Sequence, residues 1–570
     1  MPWRRWPVLL PPDGLPGGAG AGILSQRAAT PAAAAPSAPR LRGGHGRHLP
    51  AHPRTHRPGA GDSPAGAGIS GHRGEAGPGR ARAGEERGAA VKGRVVVIGG
   101  GLAGLAAACD LADAGLRVTV LERRPFLGGR AYSFLDGRSG QEADNGQHVF
   151  LRCCREYIAF LDRLGVLGHT RLQPRLHLRV VDKLTGTSVL RAGKAPPPMH
   201  LLGSFLRYRP LSLGEKLLAA YGLFRLNALD RSRHPELDQV PFAEWLRAHG
   251  QTRHIMRVFW DLIVRPTLNE ELDAVSTDLA AMVFQVGFLR DAEAAAIGYS
   301  RVGLSTLLEE AVRSYLADRG GEVRTAVAVR GLTLADGRAA GVVLEGGETL
   351  TADAVVSTVP PDALLELLPA SLAGDPFFRR LGEFTFSPIV NVHLWYERPV
   401  MRHEFAAFLN SSLQWVFNKT QMWAQPGPLQ HLDISLSAAH LWAEWPGRDL
   451  IEVMSKEVAA FFPAARILTP AYALVVKQPH ATFSPRPGVR RLRPGPVSPL
   501  PGLFLAGDWT DTGWPATMES AVRSGRAAAA AVLSNCRGGE SAEEQVSQSF
   551  REGIQHSSVL SSDRERADTR

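Results

Sequence analysis

The chain has 570 residues, and 44% of them are hydrophobic. That allows two to four domains at roughly 150 residues each and excludes a wholly disordered or collagen-like polymer. Cys109, Cys153, Cys154 and Cys536 include no Cys-x-x-Cys pair, which excludes a disulfide scaffold, a zinc ribbon or a thioredoxin-type site and points to a reducing compartment. The net charge of +10 sits mostly at one end: residues 1–92 carry +8 and the rest only +2, so the folded part gives no reason to expect a nucleic-acid partner.

Residues 1–92 contain 31 Gly and Pro, a composition that cannot bury enough apolar surface to offset chain entropy. Arg4-Arg5 followed by Trp6 to Leu10 has the outline of an export signal. The apolar run stops at Pro11-Pro12, short of the roughly 7–15 residues such a signal needs. The stretch reads instead as an extension upstream of a natural start near Val91. No window of 18 residues has the apolar, charge-free character of a spanning helix. The polar segment 536–570 reads as a loose terminus.

The strongest motif begins at Arg94. Arg94 to Ile98 is a short buried strand, Gly99-Gly-Gly101-Leu-Ala-Gly104 follows at once, Leu105 to Ala114 reads as a helix, and Arg117 to Leu121 is a second strand ending at Glu122. Gly99 permits the tight turn, Gly101 lets a pyrophosphate approach the backbone, and Gly104 lets helix and strand pack closely. The helix start favours an anion, and Glu122 is placed to accept ribose hydroxyls. A dinucleotide is the implied ligand.

Further along, Gly128-Gly129-Arg130 lies just after Glu122. Asp144-Asn-Gly-Gln-His148 follows, and the segment around 196–226 interleaves leucines and aromatics with Arg207, Arg209, Lys216 and Arg225. That interleaving suits either an interfacial surface or an amphipathic helix packed on its own domain. Asp336-Gly337 and Gly346-Gly347 separate the short apolar runs of a meander, 327–334, 339–344 and 349–351. Ala354 to Thr358 reads as another buried strand. Near the end, Leu503-Phe-Leu-Ala-Gly507-Asp508-Trp509 leads to Thr517-Met518-Glu519 and a helix from Val522 to Leu533. Two polar contact points this far apart suit a cofactor as long as FAD.

This combination resembles the flavin-dependent amine oxidase and phytoene desaturase superfamily. The blocks Asp144–His148, Trp260–Asn269, Gly298–Ser305, Gln414–Phe417, Ala481–Phe483 and Leu505–Glu519 look like the squalene-associated desaturases, also described as hydroxysqualene dehydroxylases. The match spans about 94–535. The resemblance implies an α/β (α+β) fold: a Rossmann-type FAD-binding domain with parallel sheet and β-meander, discontinuous over 93–150, 300–362 and 497–535. A mixed substrate domain would come from 151–299 and 363–496. It implies that Arg130 binds the pyrophosphate, Asp508 the ribitol and the Val329 backbone the adenine, with Thr517 and Met518 facing the flavin ring. Leu102, Ala103, Arg123, Gly129 and Gln147 complete the expected FAD contacts, and no metal is expected.

The implied chemistry is hydride delivery from reduced flavin to an allylic carbon as a hydroxyl leaves, on an apolar isoprenoid bound by burial of its surface at about 25 cal/mol per Å². Candidate lining residues are Phe259, Trp260, Phe284, Phe288, Phe384, Phe386, Trp395, Trp415 and Phe417, each equally readable as core. The proton donor is open among His148, Asp144, Glu519, Asp261 and Asp511. His148 also reads as a loop-orienting residue, and Glu519 as one answering a helix dipole. Lys477 is a candidate to hold a water near the flavin. A carotenoid-type desaturase, an amine oxidase and a non-enzymatic prenyl-lipid carrier like the Rab escort proteins remain alternatives. The expected location is cytoplasmic, peripheral on the inner face of the membrane, with an electron donor the sequence does not name.

Overall fold

The computed structural model describes residues 93–137, 140–372, 374–424 and 427–536. The expectations for residues 1–92 and 537–570 lie outside these.

Arg94–Ile98 is the centre of a five-stranded parallel sheet in the order Glu322–Thr325, Arg117–Glu122, Arg94–Ile98, Ala354–Ser357, Leu503–Leu505. Strand alternation sorts its side chains into two cores. Val95, Val97, Val118 and Val120 point into a helical layer, made of Leu102–Asp113, Leu304–Ala317 and Met518–Cys536. Val96, Ile98, Leu121 and Val355 point the other way, where Leu332, Val342 and Leu344 of an antiparallel three-stranded sheet cover them. The hairpin turns are at Asp336-Gly337, both with positive φ, and at Gly347, as turn chemistry requires.

Two element boundaries differ from the sequence expectation. The last helix begins at Met518, not Val522, because the Thr517 hydroxyl accepts from the Ser520 N–H and starts the helix early. The 149–172 stretch, expected with the substrate portion from residue 151, buries Phe150, Tyr157, Phe160 and Leu161 in the nucleotide-sheet core. Cys153 and Cys154 immediately precede the Arg155–Arg163 helix.

Apart from two small sheets (Ser133–Leu135 with Glu142–Asp144, and Val149–Leu151, Ile297–Ser300 and Thr170–Leu172), the other strands form a seven-stranded mixed sheet in the order Tyr472–Phe483, Phe386–Tyr396, Gln430–Leu436, Trp415–Asn418, Phe405–Leu409, His177–Asp182, Gly186–Arg191. One face (Val390, Val392, Leu394, Ile434, Val416) packs on Leu450, Met454 and Val458 of the Gly447–Phe461 helix. The opposite face is mixed. Its polar members Asn391, His393, His431 and Asp433 sit beside Trp395, Trp415, Phe417 and Phe405. The two phenylalanines join the core shared with the helices between 242 and 289.

Candidate active site

The loop after the first strand is held by backbone bonds and by two side chains, Glu122 and Thr358, whose hydroxyl donates to Gly99 O at 3.1 Å. Gly99 has φ 105° and donates its N–H to Leu121 O at 2.8 Å. The helix Leu102–Asp113 follows Gly101 with no side-chain cap and no acid in its first turn. Its N–H dipoles are therefore directed at whatever anion sits before Leu102 and Ala103. Glu122, 7% exposed, accepts from the Gly100 N–H and the Arg124 N–H, one on each carboxylate oxygen, both at 2.8 Å. Its orientation beside the glycine loop is thus fixed before any ligand binds. Gly128 N–H donates to Gly100 O at 2.9 Å, and Gly129 faces Gly101 so closely that a methyl on Gly129 would lie 2.9 Å from the Gly101 Cα.

The distant pieces converge here. The Val327 N–H donates to Glu122 O at 2.9 Å, which brings Val329, at the start of the meander, close to Glu122. Arg130 donates to Ala481 O at 3.1 Å and forms an ion pair with Asp508, so the residues expected at the pyrophosphate and the ribitol meet. Asp508 lies in a loop that Arg493 organises. That fully buried guanidinium donates to Thr510 O at 2.6 and 3.1 Å and to Asp508 O at 3.2 Å and lies over the Phe483 ring, and burial lowers its pKa. Arg123 is exposed. Its neighbour Arg124 is the one that reaches the glycine turn, donating to Gly129 O at 2.9 Å.

The candidate acids separate by what already occupies them. Glu519 answers a helix N-terminus, but that of Arg155–Arg163: it accepts from Tyr157 N–H at 2.8 Å and pairs with Arg523 at 2.7 Å. Burial raises its pKa even so. Asp261 is held by Arg265 at 2.8 Å, and Asp511 is exposed and accepts from Gly513 N–H. Asp144 is 1% exposed, accepts from Ser133 and takes an ion pair from Lys419 at 2.6 Å. Lys419 Nζ also donates to Gln147 Oε1 at 2.7 Å. His148 is half-buried, with Nδ1 at 2.9 Å from Gly146 O. That carbonyl can only accept, so Nδ1 carries the proton and Nε2 is the acceptor. Burial pushes its pKa below the ordinary imidazole value, so the neutral ring dominates at pH 7.

Lys477 does not face this region. It pairs in register with Val390 and donates to Ala443 O and Trp445 O on the opposite side of the sheet. Asn269, which ends the Trp260–Asn269 block with φ 53°, donates to Ser387 O and Thr482 Oγ1 and accepts from Ala438 N–H. That block is thus a clamp between the helices and the mixed sheet.

Residues 102–533 match the family model described as flavin containing amine oxidoreductase. The chain belongs to this family. Among curated relatives, a hydroxysqualene dehydroxylase of Rhodopseudomonas palustris is 30% identical over 77% of this chain and 98% of its own length. A 15-cis-phytoene desaturase of Synechococcus elongatus is 27% identical over 77% of this chain and 96% of its own. The fold is shared with an oxidoreductase of Methanosarcina mazei (TM-score 0.60, 18% identity, 76% of this chain and 99% of that one). It is also shared with a putrescine oxidase (TM-score 0.59, 18% identity, 78% and 99%).

The protein is accordingly an FAD-dependent oxidoreductase of the amine oxidase and desaturase superfamily. The cradle suits that cofactor: an uncapped helix start, a pre-oriented acid, and a Gly101 whose added methyl would meet only the Gly129 Cα, at 3.7 Å. Among the described residues no helix is long and apolar enough to cross a membrane, and no cluster of His, Cys, Asp and Glu could hold a metal ion.

The mixed sheet contributes a buried polar group that sequence patterning missed. His393 Nδ1 lies 3.0 Å from His431 Nε2, and Trp395 stacks on His431 with ring centroids 4.2 Å apart. Asp433 is fully buried; His393 Nδ1 stands 3.9 Å from its Oδ1, and beyond that its charge is met only by Lys419 and the Gln147 backbone N–H among the described residues. Burial pushes the Asp433 carboxyl above the ordinary carboxylate range and the His431 ring well below the ordinary imidazole value. A carboxyl raised in the folded state holds its proton more tightly there than in the unfolded chain. Its contribution is therefore fully present below the unfolded value and is lost as pH rises through the folded one. Asp433→Asn keeps the shape and removes the charge. It should raise thermal stability at pH 8 by on the order of 1 kcal/mol and change it little near pH 4. Melting curves of both proteins at the two pH values check this. An Asn variant less stable at pH 8 would show that the carboxylate is compensated.

Proposed function

We propose that this enzyme is a reductive dehydroxylase of hydroxysqualene, forming squalene in squalene and hopanoid synthesis. Its FAD contacts would be Gly99, Gly101, Leu102, Ala103, Gly104, Glu122, Gly129, Arg130, Gln147, Val329, Asp508, Thr517 and Met518, with Arg124 in the place first given to Arg123. The observation that carries the reaction is the 30% identity to the Rhodopseudomonas enzyme across nearly its whole length. An apolar isoprenoid also suits the aromatic side of the mixed sheet and the exposed apolar segment at 199–224. When bound, reduced flavin supplies the hydride that replaces the departing hydroxyl, and the hydroxyl leaves as water with one proton. The chain's own residues hold the cofactor, bury the hydrocarbon and exclude water. His148, neutral with Nε2 open, is the half-buried imidazole of the Asp144–His148 block and the first residue to test for proton handling. The electron donor stays outside the proposal.

Phytoene and carotene desaturases at 26–27% identity favour a second reading, oxidation of a polyene precursor by the same cofactor. An anaerobic experiment separates them. The purified flavoprotein is reduced and mixed with hydroxysqualene, and flavin absorbance and product mass are followed together. Flavin reoxidation with squalene formed is the expected result. No reoxidation, with bleaching of the oxidised enzyme by phytoene, would transfer the protein to the desaturases.

A further inference from the structure

The helix Leu213–Asn227 is packed inside out. Its buried positions are small or few (Ala219, Gly222 and Leu226), and Gly222 sits so close to Trp260 that a methyl there would lie 2.9 Å from the indole. The large side chains face outward: Leu213 is 70% exposed, Leu217 67%, Tyr221 45% and Phe224 69%. Steps of four, four and three put these on one stripe. Met199, Leu202, Leu206 and Leu218 are also exposed, so eight of the fifteen exposed large hydrophobic residues among those described fall within 199–224. A face packed only on its own domain would bury the leucines and expose the alanine. The capping box at Ser212 and Glu215 shows that the helix is well formed and not a frayed loop.

One turn beyond Phe224 the same stripe reaches Ala228, which lines a cavity of about 650 Å³. Its other walls include Asn227, Arg231, Asp278, Arg290 and Arg490. Arg231 is neutralised by a two-point pairing with Asp278 at 2.7 and 2.9 Å. Gln285 Nε2 donates to Leu226 O and Leu229 O and so satisfies the carbonyl end of the helix. Asp230, also in the wall, is taken by Ser232 and Arg233. The guanidinium groups of Arg290 and Arg490 form no salt bridge within 4 Å among the described residues, although Asp238 accepts the Arg490 backbone N–H at 3.2 Å and feels its charge, and the Asn227 side-chain oxygen is buried without a donor. Two unpaired guanidinium groups fit a phosphate, and an orphan amide oxygen fits a hydroxyl or ammonium beside it.

We propose that this cavity seats the phosphate headgroup of a membrane phospholipid while the Leu213–Phe224 stripe lies in the acyl region beside it. The site would fix how the enzyme is oriented on the bilayer, with Lys216 and Arg225 at the polar boundary. This rests on the isoprenoid reading only for its purpose, since a bilayer-dissolved substrate needs an enzyme that docks. The test itself uses no turnover.

The test is flotation of the full-length flavoprotein with phosphatidylcholine vesicles, with and without phosphatidylglycerol. Wild type should float, and more strongly with phosphatidylglycerol. Arg290→Gln combined with Arg490→Gln should lose at least five-fold in partition on the phosphatidylglycerol vesicles. Leu217→Ser combined with Phe224→Ser should fall off both. Unchanged melting temperature and flavin absorbance in each variant exclude unfolding as the cause. Wild-type flotation by the double arginine variant would overturn the headgroup seat, and so would failure of the wild type to float at all. Calorimetric titration with glycerol 3-phosphate distinguishes the source: saturable binding of the soluble ester by a protein that ignores vesicles would assign the cavity to a free phosphate compound instead. Vesicle docking without hydroxysqualene reduction would leave the seat intact and remove only the proposed reaction.

Discussion

Gly104→Ala should yield a protein that purifies without flavin. A methyl on Gly104 would lie 2.0 Å from the Gly99 carbonyl oxygen and 2.9 Å from Thr358 Oγ1. The first is a backbone atom in the turn that presents the glycine loop, so no side chain can rotate away to relieve it. The helix start must move by about an ångström or the turn must open. Overpacking of this kind costs about 1–3 kcal/mol. The displaced N–H groups are those proposed to meet the pyrophosphate, so the cost should fall on binding as well as folding. Each 1.4 kcal/mol lost there is about ten-fold in affinity. Gly101→Ala is the contrasting variant. Its methyl meets only the Gly129 Cα, at 3.7 Å, and Gly101 already has φ −80°, so the fold accepts it. It should melt like the apoprotein of the wild type yet bind flavin poorly, because the methyl occupies the approach of the ligand. The ratio of flavin to protein absorbance and the apoprotein melting temperature check both. Full flavin content in Gly104→Ala would show that the helix start tolerates displacement.

The nucleotide half of the site was legible because its chemistry is local. Strand, glycines, helix and acid lie within 29 residues, and each is demanded by backbone geometry that a residue type reveals directly. Arg130 and Asp508 pair across 378 residues; the resemblance implied a place on the cofactor for each but not their pairing. Arg493 had no such aid. It closes a run of arginines at 486–493 that reads as a solvated charged loop, yet its guanidinium is buried against the carbonyl groups of Asp508, Trp509 and Thr510. Lys477 failed for another reason. A strand fixes that side chains alternate but not which parity faces the core, and both faces of that sheet are packed. The polar strip His393, His431 and Asp433 was hidden likewise. His431 and Asp433 share the strand Gln430–Leu436 and His393 lies on Phe386–Tyr396, and only the register of the two strands sets His393 beside the other pair.

Lys419 carries the second large effect. It follows the strand Trp415–Asn418 with nothing in the sequence to mark it, yet it is 1% exposed, paired with Asp144 at 2.6 Å and placed over the Trp423 ring. Breaking a buried pair by removing one partner typically costs about 3–5 kcal/mol, because the survivor keeps its desolvation cost without its counter-charge. Lys419→Met fills the space and strands Asp144 with only Ser133 and the Leu304 N–H as donors. Asp144→Asn strands Lys419 in turn, and the double variant strands neither. The cycle should therefore be strongly non-additive, with the double variant more stable than either single one. Lys419 also donates to Gln147, beside His148, so its loss should release the Asp144–His148 block and shift the absorbance of bound flavin before the protein unfolds. Denaturant unfolding of the four proteins measures the coupling, and flavin spectra in native buffer measure the release. Additive losses would mean that the ion pair is not what holds this block in place, and an unshifted spectrum would place the flavin beyond its reach.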